Sequence, residues 1–264
     1  MLRTAFAALA ALLLASAVQA QPLDGRLKRI AETKTIAIAH RTDAMPFSFT
    51  ENGQVTGFTV DLCKRVVTSI ERQINVPGLQ IKWVPVTSQN RFDVVASGQA
   101  DLAIGVGTNL PSVAGLRAEP LGDLRFVFAL APHHPLARQP EPLADALLRE
   151  HRLIAVADSA RRSSQTLGIL AGQDVFTVDN MRAKIQAQLR GLGGGFLPEP
   201  MVRPYMEAGR LVVREVARPA RTVRLNYMWA APATGTPGRA LQWWLAQLQG
   251  EATRRALLEN HALI

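Results

Sequence analysis

The chain has 264 residues, 48% hydrophobic and 19% charged, enough to bury a real core in one or two domains. Its net charge of +9 comes from arginines scattered along the chain, with short pairs only at Arg161–Arg162 and Arg254–Arg255, a pattern of solvated basic surface rather than a nucleic-acid-binding stripe. The single cysteine, Cys63, excludes an internal disulfide, and its place in an apolar helical face makes it a core residue rather than a nucleophile.

Met1–Ala20 reads as a secretory signal. Arg3 gives a positive start, Ala5–Val18 an apolar run too short for a span of about 20 residues, and Val18-Gln19-Ala20 a small-residue cut site. The alternative is an uncleaved anchor. The mature chain then opens with a short helix over Leu23–Glu32 and a buried strand over Thr35–Ala39, with His40-Arg41-Thr42 at its carboxyl end. Ligands of open α/β sheets sit beyond such ends. Glu51-Asn52-Gly53-Gln54 is a hairpin turn between Phe47–Phe49 and Val55–Phe58. Asp61–Ile74 carries Leu62, Val66, Ile70 and Ile74 at helical spacing. Gln80–Val86 alternates as a strand, and Thr87 or Ser88 can cap the helix Arg91–Ser97. Gly98 stops that helix. Ala100–Gly105 is a second buried strand, and Gly105–Asn109 a candidate cleft wall.

In the second half, Arg125–Ala131 is a near-continuous apolar run suited to a crossing strand, with Pro132 and Pro135 around a turn. Pro142 introduces a helix over Leu143–His151. Leu153–Ala157 and Asp174–Val178 are strands. Asp179 can cap the helix Asn180–Arg190, Gly191 stops it, and Gly194–Leu197 is the next strand. Val223–Ala231 crosses back. Arg239–Gln249 is amphipathic, with Leu241, Trp244, Leu245 and Leu248 on one face, and should pack on the first half of the chain. His133-His134 has no spaced acidic or cysteine partner that would make a metal site. The Gly191–Gly195 run follows a helix and enters a strand, the reverse of a phosphate loop. Ser163-Ser164-Gln165-Thr166 lacks organised His and Asp partners. Trp243 and Trp244 read as core or interface residues.

Two resemblances run along this chain. TIAIAHR, PFSF, GFTVDLCKRVV, WVPVTSQNR and SGQADL, over residues 25–102, resemble the amino-terminal half of an exported ABC-importer amino-acid-binding protein of the glutamate/aspartate type. That resemblance implies a clamshell closing on a free amino acid, with Arg41, Ser88 and Arg91 on the ligand. Two guanidiniums suit carboxylates, with which they can pair bidentately. The alternative for both arginines is exposure or pairing with Asp43 and Asp93. The family's pattern then continues into Gly-Ser-Thr-Thr and a carboxylate-clamping arginine. Here Thr108 survives, but Val106 and Val113 stand at the serine and arginine positions. From about Ala100, the segments DLAIG, PLGDLRFVFALAPHHPLA, AVADSARR, GQDVFTVDNMRAKIQAQLRGLGGGFLPE and GRLVVREV resemble the effector-binding domain of a LysR-type transcriptional regulator.

Both families imply one α/β fold, the two-lobed type 2 periplasmic-binding-protein fold with two crossing hinge strands. The chain is therefore expected to be a chimera, natural or constructed, joined around Ser97–Asp101. Expected units are a signal peptide (1–20), a first lobe (21–124 plus 229–264) and a second lobe (125–228). The expected function is non-enzymatic: an exported, periplasmic binding protein for an acidic amino acid or small carboxylate, feeding an ABC-type transporter. Arg41, Ser88, Arg91 and Thr108 would face Ser159 and Thr177, which are placed by their strand-end positions. No cofactor, metal or nucleic acid is called for, and a monomer is expected. The alternatives are a LysR effector domain without its helix-turn-helix, a scaffold with no physiological ligand, and an enzyme such as a dehydratase of a cyclic amino-acid precursor, for which no arranged acid–base pair is visible.

Overall fold

The computed structural model describes residues 23, 25–106, 115–157, 168–231 and 236–259. The first parallel pair is short. A helix, α1 (Gly25–Thr33), leads into β1 (Thr35–Arg41), which pairs in parallel with β5 (Gln80–Val86) from Thr35↔Gln80 to Arg41↔Val86. Between them lie β2 (Asp43–Ala44), β3 (Ser48–Glu51) and β4 (Gln54–Thr56), a three-stranded antiparallel excursion. Its tight turn places Asn52 and Gly53 at φ 51° and 77°, the left-handed pair that a two-residue hairpin needs. The long helix α2 (Phe58–Ile74) starts three residues before its expected position and ends at left-handed Asn75. Its face of Val67, Ile70 and Ile74 packs with Leu27 and Leu79 into one apolar cluster.

The five-stranded sheet is held by two long antiparallel strands, β7 (Leu116–Leu130) and β12 (Arg221–Ala230). These are the two crossing strands. Their register slips between Leu225 and Asn226, which oppose Gly122 and Pro120 and leave Leu121 as the extra residue of a bulge. The bulge accommodates Pro120, which has no N–H for the ladder. Leu121 turns inward, 2% exposed, beside buried Tyr227, Trp229 and Leu248. The Tyr227 hydroxyl donates to Glu119 Oε2 at 2.6 Å. β6 (Leu102–Val106) pairs with β12, while β10 (Gly195–Pro198) and β11 (Val212–Arg214) pair with β7. A second parallel pair, β8 (Leu153–Val156) with β9 (Val175–Val178), is bridged to β10 through Leu153 and Gly194. Its helix α5 (Met181–Leu189) packs with α6 (Glu199–Glu207) over Val127, Ala129 and Leu197. On the opposite face, α4 (Asp145–Arg149) helps cover Phe128 and Leu130. The chain closes with α7 (Arg239–Gln249) and α8 (Glu251–Leu258) against β7 and β12.

Several expectations are corrected. The cap of α5 is Asn180, not Asp179: its Oδ1 accepts from Ala183 N at 2.9 Å. The helix expected over Leu143–His151 is only Asp145–Arg149, because Leu143 is diverted into a bridge with Val216. α3 (Arg91–Ala96) takes Asn90 as its cap residue. Thr87 is instead tied into the preceding turn, where Asn90 Oδ1 accepts from its N–H at 2.8 Å. Most consequentially, β1 and β6 are not buried strands. Ala37 and Ala39 are exposed, and Ile104 is 40% exposed. Among the described residues, each strand has a neighbour on one side only, and the two lie in separate sheets. Among the described residues, no helix is long and apolar enough to cross a membrane.

Candidate functional site

The parallel β1–β5 pair brings three of the expected ligand residues to one edge. Because Arg41 stands opposite Val86, the chain leaves both strands at the same place, and Thr87, Ser88 and the start of α3 follow at once. The Ser48 hydroxyl fixes this edge by donating to the Arg41 carbonyl at 2.7 Å. The Arg41 side chain is about one-fifth exposed and paired with Asp43: Nε and Nη2 lie 2.8 and 2.7 Å from Oδ1. That is the pairing the sequence offered as the alternative. Since Asp43 is more than half exposed, the pair orients the guanidinium without sealing it away from the edge. Arg91 does not use Asp93 in the corresponding way; its guanidinium lies over the Phe92 ring at 4.8 Å. The Ser88 hydroxyl is 3.2 Å from Gln89 Oε1.

Thr177 belongs to the other parallel pair. It sits one residue before the end of β9, opposite Ala155, and is exposed. Thr108 and Ser159 lie outside the described residues, as do Val113 and the signal segment. Of the six expected ligand residues, the structure thus gathers Arg41, Ser88 and Arg91 on one sheet edge and stands Thr177 near the end of another.

Sequence reasoning missed three polar residues. Lys184 and Gln188, one turn apart on α5, are 8% and 0% exposed. Arg221 opens β12 with its guanidinium over the Phe126 and Phe196 rings, at 5.3 and 5.8 Å. Burial, and then the nearby Arg221 charge, pushes the Lys184 ammonium down to about 8. In the sequence these residues look like ordinary helix and strand surface, and no local pattern separates them from it.

Other candidates resolve plainly. Burial pushes the Cys63 thiol up to about 11, against nucleophilic chemistry. It lines a cavity of about 20 Å³ with His40, Ser48 and Trp83, room for roughly one water. His134 Nδ1 accepts from Leu136 N at 3.2 Å, and its ring lies 5.4 Å from that of His151. Among the described residues, no cluster of three or more His, Cys, Asp or Glu is placed to hold a metal ion.

Comparison with known proteins gives two matches on one chain. The family described as "LysR substrate binding domain" matches residues 74–253. The family described as "Bacterial extracellular solute-binding proteins, family 3" matches residues 36–111. The HTH-type transcriptional activator AllS of Klebsiella pneumoniae is 36% identical over 134 residues, 50% of this chain and 49% of that protein. The L-glutamate/L-aspartate-binding protein of Pseudomonas aeruginosa is 40% identical over 104 residues, 39% of this chain and 34% of that protein. The chain therefore spans about half or less of the length of these curated relatives. Among solved structures, the regulatory domain of a LysR family regulator from N. meningitidis superposes with a TM-score of 0.59 at 19% identity. That superposition covers 87% of this chain and 97% of the other. Regulatory domains and amino-acid-binding proteins alike share this architecture, the two-lobed type 2 periplasmic-binding-protein fold.

Proposed function

Because the chain belongs to the LysR substrate binding domain family, and joins to it a segment of the extracellular solute-binding family, we propose that it binds a small carboxylate between its two lobes. Both matched families are binding domains. The observation that supports the choice of ligand is the shared carboxyl edge of β1 and β5, at which Arg41 stands and from which Ser88 and Arg91 follow. Guanidiniums at strand and helix ends favour carboxylates, and an acidic amino acid supplies two. The 40% identity to a protein named for binding glutamate and aspartate supports the same class. In this reading the protein is exported by residues 1–20 to the periplasm, closes about β7 and β12, and delivers its ligand to an ABC-type transporter.

A second reading is a ligand-sensing LysR-type effector domain. The family match over residues 74–253 favours it. Size and processing separate the two: a monomer beginning near Gln21 supports the exported binder, and an intracellular dimer supports the sensor. The ligand is tested by thermal unfolding of the mature protein against free amino acids and small carboxylates. At 100 times its dissociation constant a ligand adds about 2.7 kcal/mol. The expected result is a shift with glutamate or aspartate that Arg41→Ala and Arg91→Ala remove. No shift across the panel would overturn the carboxylate reading.

A further inference from the structure

We propose that Lys184 and Gln188 form a second recognition point for the ligand, one that takes an oxyanion group carrying a neighbouring hydroxyl or amine. This rests on the reading that the fold holds a small carboxylate, and it adds a contact from α5. α5 begins at Met181, capped by Asn180 just beyond the carboxyl end of β9, so Lys184 lies about one turn in from the edge where Thr177 stands. Both side chains lie against Gly195 of β10. A Cβ there would come within 2.7 Å of Gln188 Nε2 and 3.1 Å of Lys184 Cε. The next residue, Phe196, carries the Arg221 guanidinium on its ring. A positive region thus borders both sides of β10.

None of the polar atoms of this pair is satisfied by the protein. Both amide atoms of Gln188 are buried without a hydrogen-bond partner, and the Lys184 ammonium has no carboxylate or carbonyl partner among the described residues. A buried amide left in this state is costly, and with a largely buried lysine beside it the two call for a group that satisfies both. The inventory of free valences describes that group. The ammonium and the Gln188 NH2 offer protons and need an acceptor anion; Gln188 Oε1 needs a donor. An amino- or hydroxy-carboxylate has both within one small group, whereas a plain carboxylate or inorganic anion has acceptors alone. The lowered basicity of Lys184 agrees with a cation awaiting its counter-ion.

The test is isothermal titration and thermal unfolding of the mature protein with L-glutamate, 2-hydroxyglutarate, glutarate, glutaramide and sulfate. Wild type, Arg41→Ala, Lys184→Met and Gln188→Leu are compared. The expected result is tighter binding of glutamate or hydroxyglutarate than of glutarate, and weak binding of glutaramide and sulfate. Lys184→Met should weaken the two favoured ligands by at least about tenfold, the loss typical of a buried charged partner. Gln188→Leu should erase the preference over glutarate. If Arg41→Ala loses the ligand while both α5 variants bind as wild type, the second recognition point is wrong and the first edge stands. If sulfate matches the favoured ligands, the α5 pair holds an adventitious ion only and the inference falls. If nothing binds wild type, the carboxylate reading falls and takes this one with it.

Discussion

Lys184 makes a measurable claim about the unliganded protein. The residue is 8% exposed on α5, and burial together with Arg221 holds its ammonium at about 8 instead of 10.5. At about 1.36 kcal/mol per pH unit, the charged lysine costs the native state about 3 kcal/mol at pH 7. The sign follows from proton counts. Between about pH 8 and 10.5 the unfolded chain keeps the proton that the native state has released, so stability rises with pH across that window. Above 10.5 the contribution is fully present, and it is lost as pH falls through 8. Lys184→Met keeps the stem and removes the charge, so at pH 7 it should stabilise the protein by up to about 3 kcal/mol. With a urea slope of about 3 kcal/mol per molar, the midpoint should move up by about 1 M. Urea melts of both proteins at pH 7 and pH 10 test this, because groups common to both cancel in the difference. The gap should be large at pH 7 and shrink strongly by pH 10. A Lys184→Met protein less stable than wild type at pH 7, or a gap independent of pH, would refute the reasoning.

His134 is depressed by burial first and then by the His151 and His133 charges, so its contribution is present above about pH 6.5 and lost as pH falls further. Wild type should lose more stability than His134→Asn between pH 7 and pH 5 in denaturant melts, and equal losses would contradict this. Gly195→Ala would press a methyl within 2.7 Å of the Ile154 carbonyl, which the backbone cannot yield, so a cost of about 1–3 kcal/mol is expected in the same assay. With its thiol held at about 11, Cys63 should react with a disulfide reagent at pH 8 on the order of a hundredfold more slowly in the native than in the unfolded protein, as followed by absorbance. Ala240→Leu should raise the melting temperature, by about 0.5–2 kcal/mol of added stability, because its side chain would enter a groove of about 340 Å³; a lower melting temperature would mean that the wall is already packed.

What the sequence made legible was local. Gln80–Val86 and Arg239–Gln249 fall where their periodicity puts them, because a period of two or of 3.6 is written into the segment itself. The Asn52-Gly53 turn is legible for the same reason. No helix is among the elements expected over 199–207; in the structure Pro200 sits harmlessly in the first turn of α6, and Pro204 is carried inside the helix. The expected strand Arg125–Ala131 leaves out the first nine residues of β7, where Pro120 and Gly122 are poor strand formers until β12 supplies the bulged partner. The site divides in the same way. Arg41, Ser88 and Arg91 come from resemblance and strand-end position, both readable in one dimension. Lys184, Gln188 and Arg221 become distinctive only when α5 is laid against β10, and no neighbour in sequence announces that contact.

The failure of β1 and β6 to be buried has a different origin. TIAIA and LAIGV are apolar enough for central strands, and in isolation each predicts one. Their burial depends on a neighbour that the rest of the chain must provide; β1 precedes the overlap between the family matches, residues 74–111, and β6 lies within it. β1 takes β5, which lies within that overlap, and β6 takes β12, which lies beyond it. The apolar clusters divide in a similar way. Among the described residues, one is built from α1, α2, β1 and β5 and receives Ala240 from beyond residue 81; the other gathers β7, β12, α7 and α8 with Leu102 of β6. The 340 Å³ groove lies where they meet, between Leu27, Ile70 and Gln73 on one wall and Ala240, Trp243 and Trp244 on the other. Side chains on the two walls of a seam fit closely when they have been selected against each other, and hydrophobic residues of roughly the right size fold without that fit. Strands that pair in separate sheets, with small exposed alanines and an unfilled groove between the halves, are the structural mark of a chain whose two parts share a fold but meet in few core side chains, such as Ala240 in one apolar cluster and Phe47 in another.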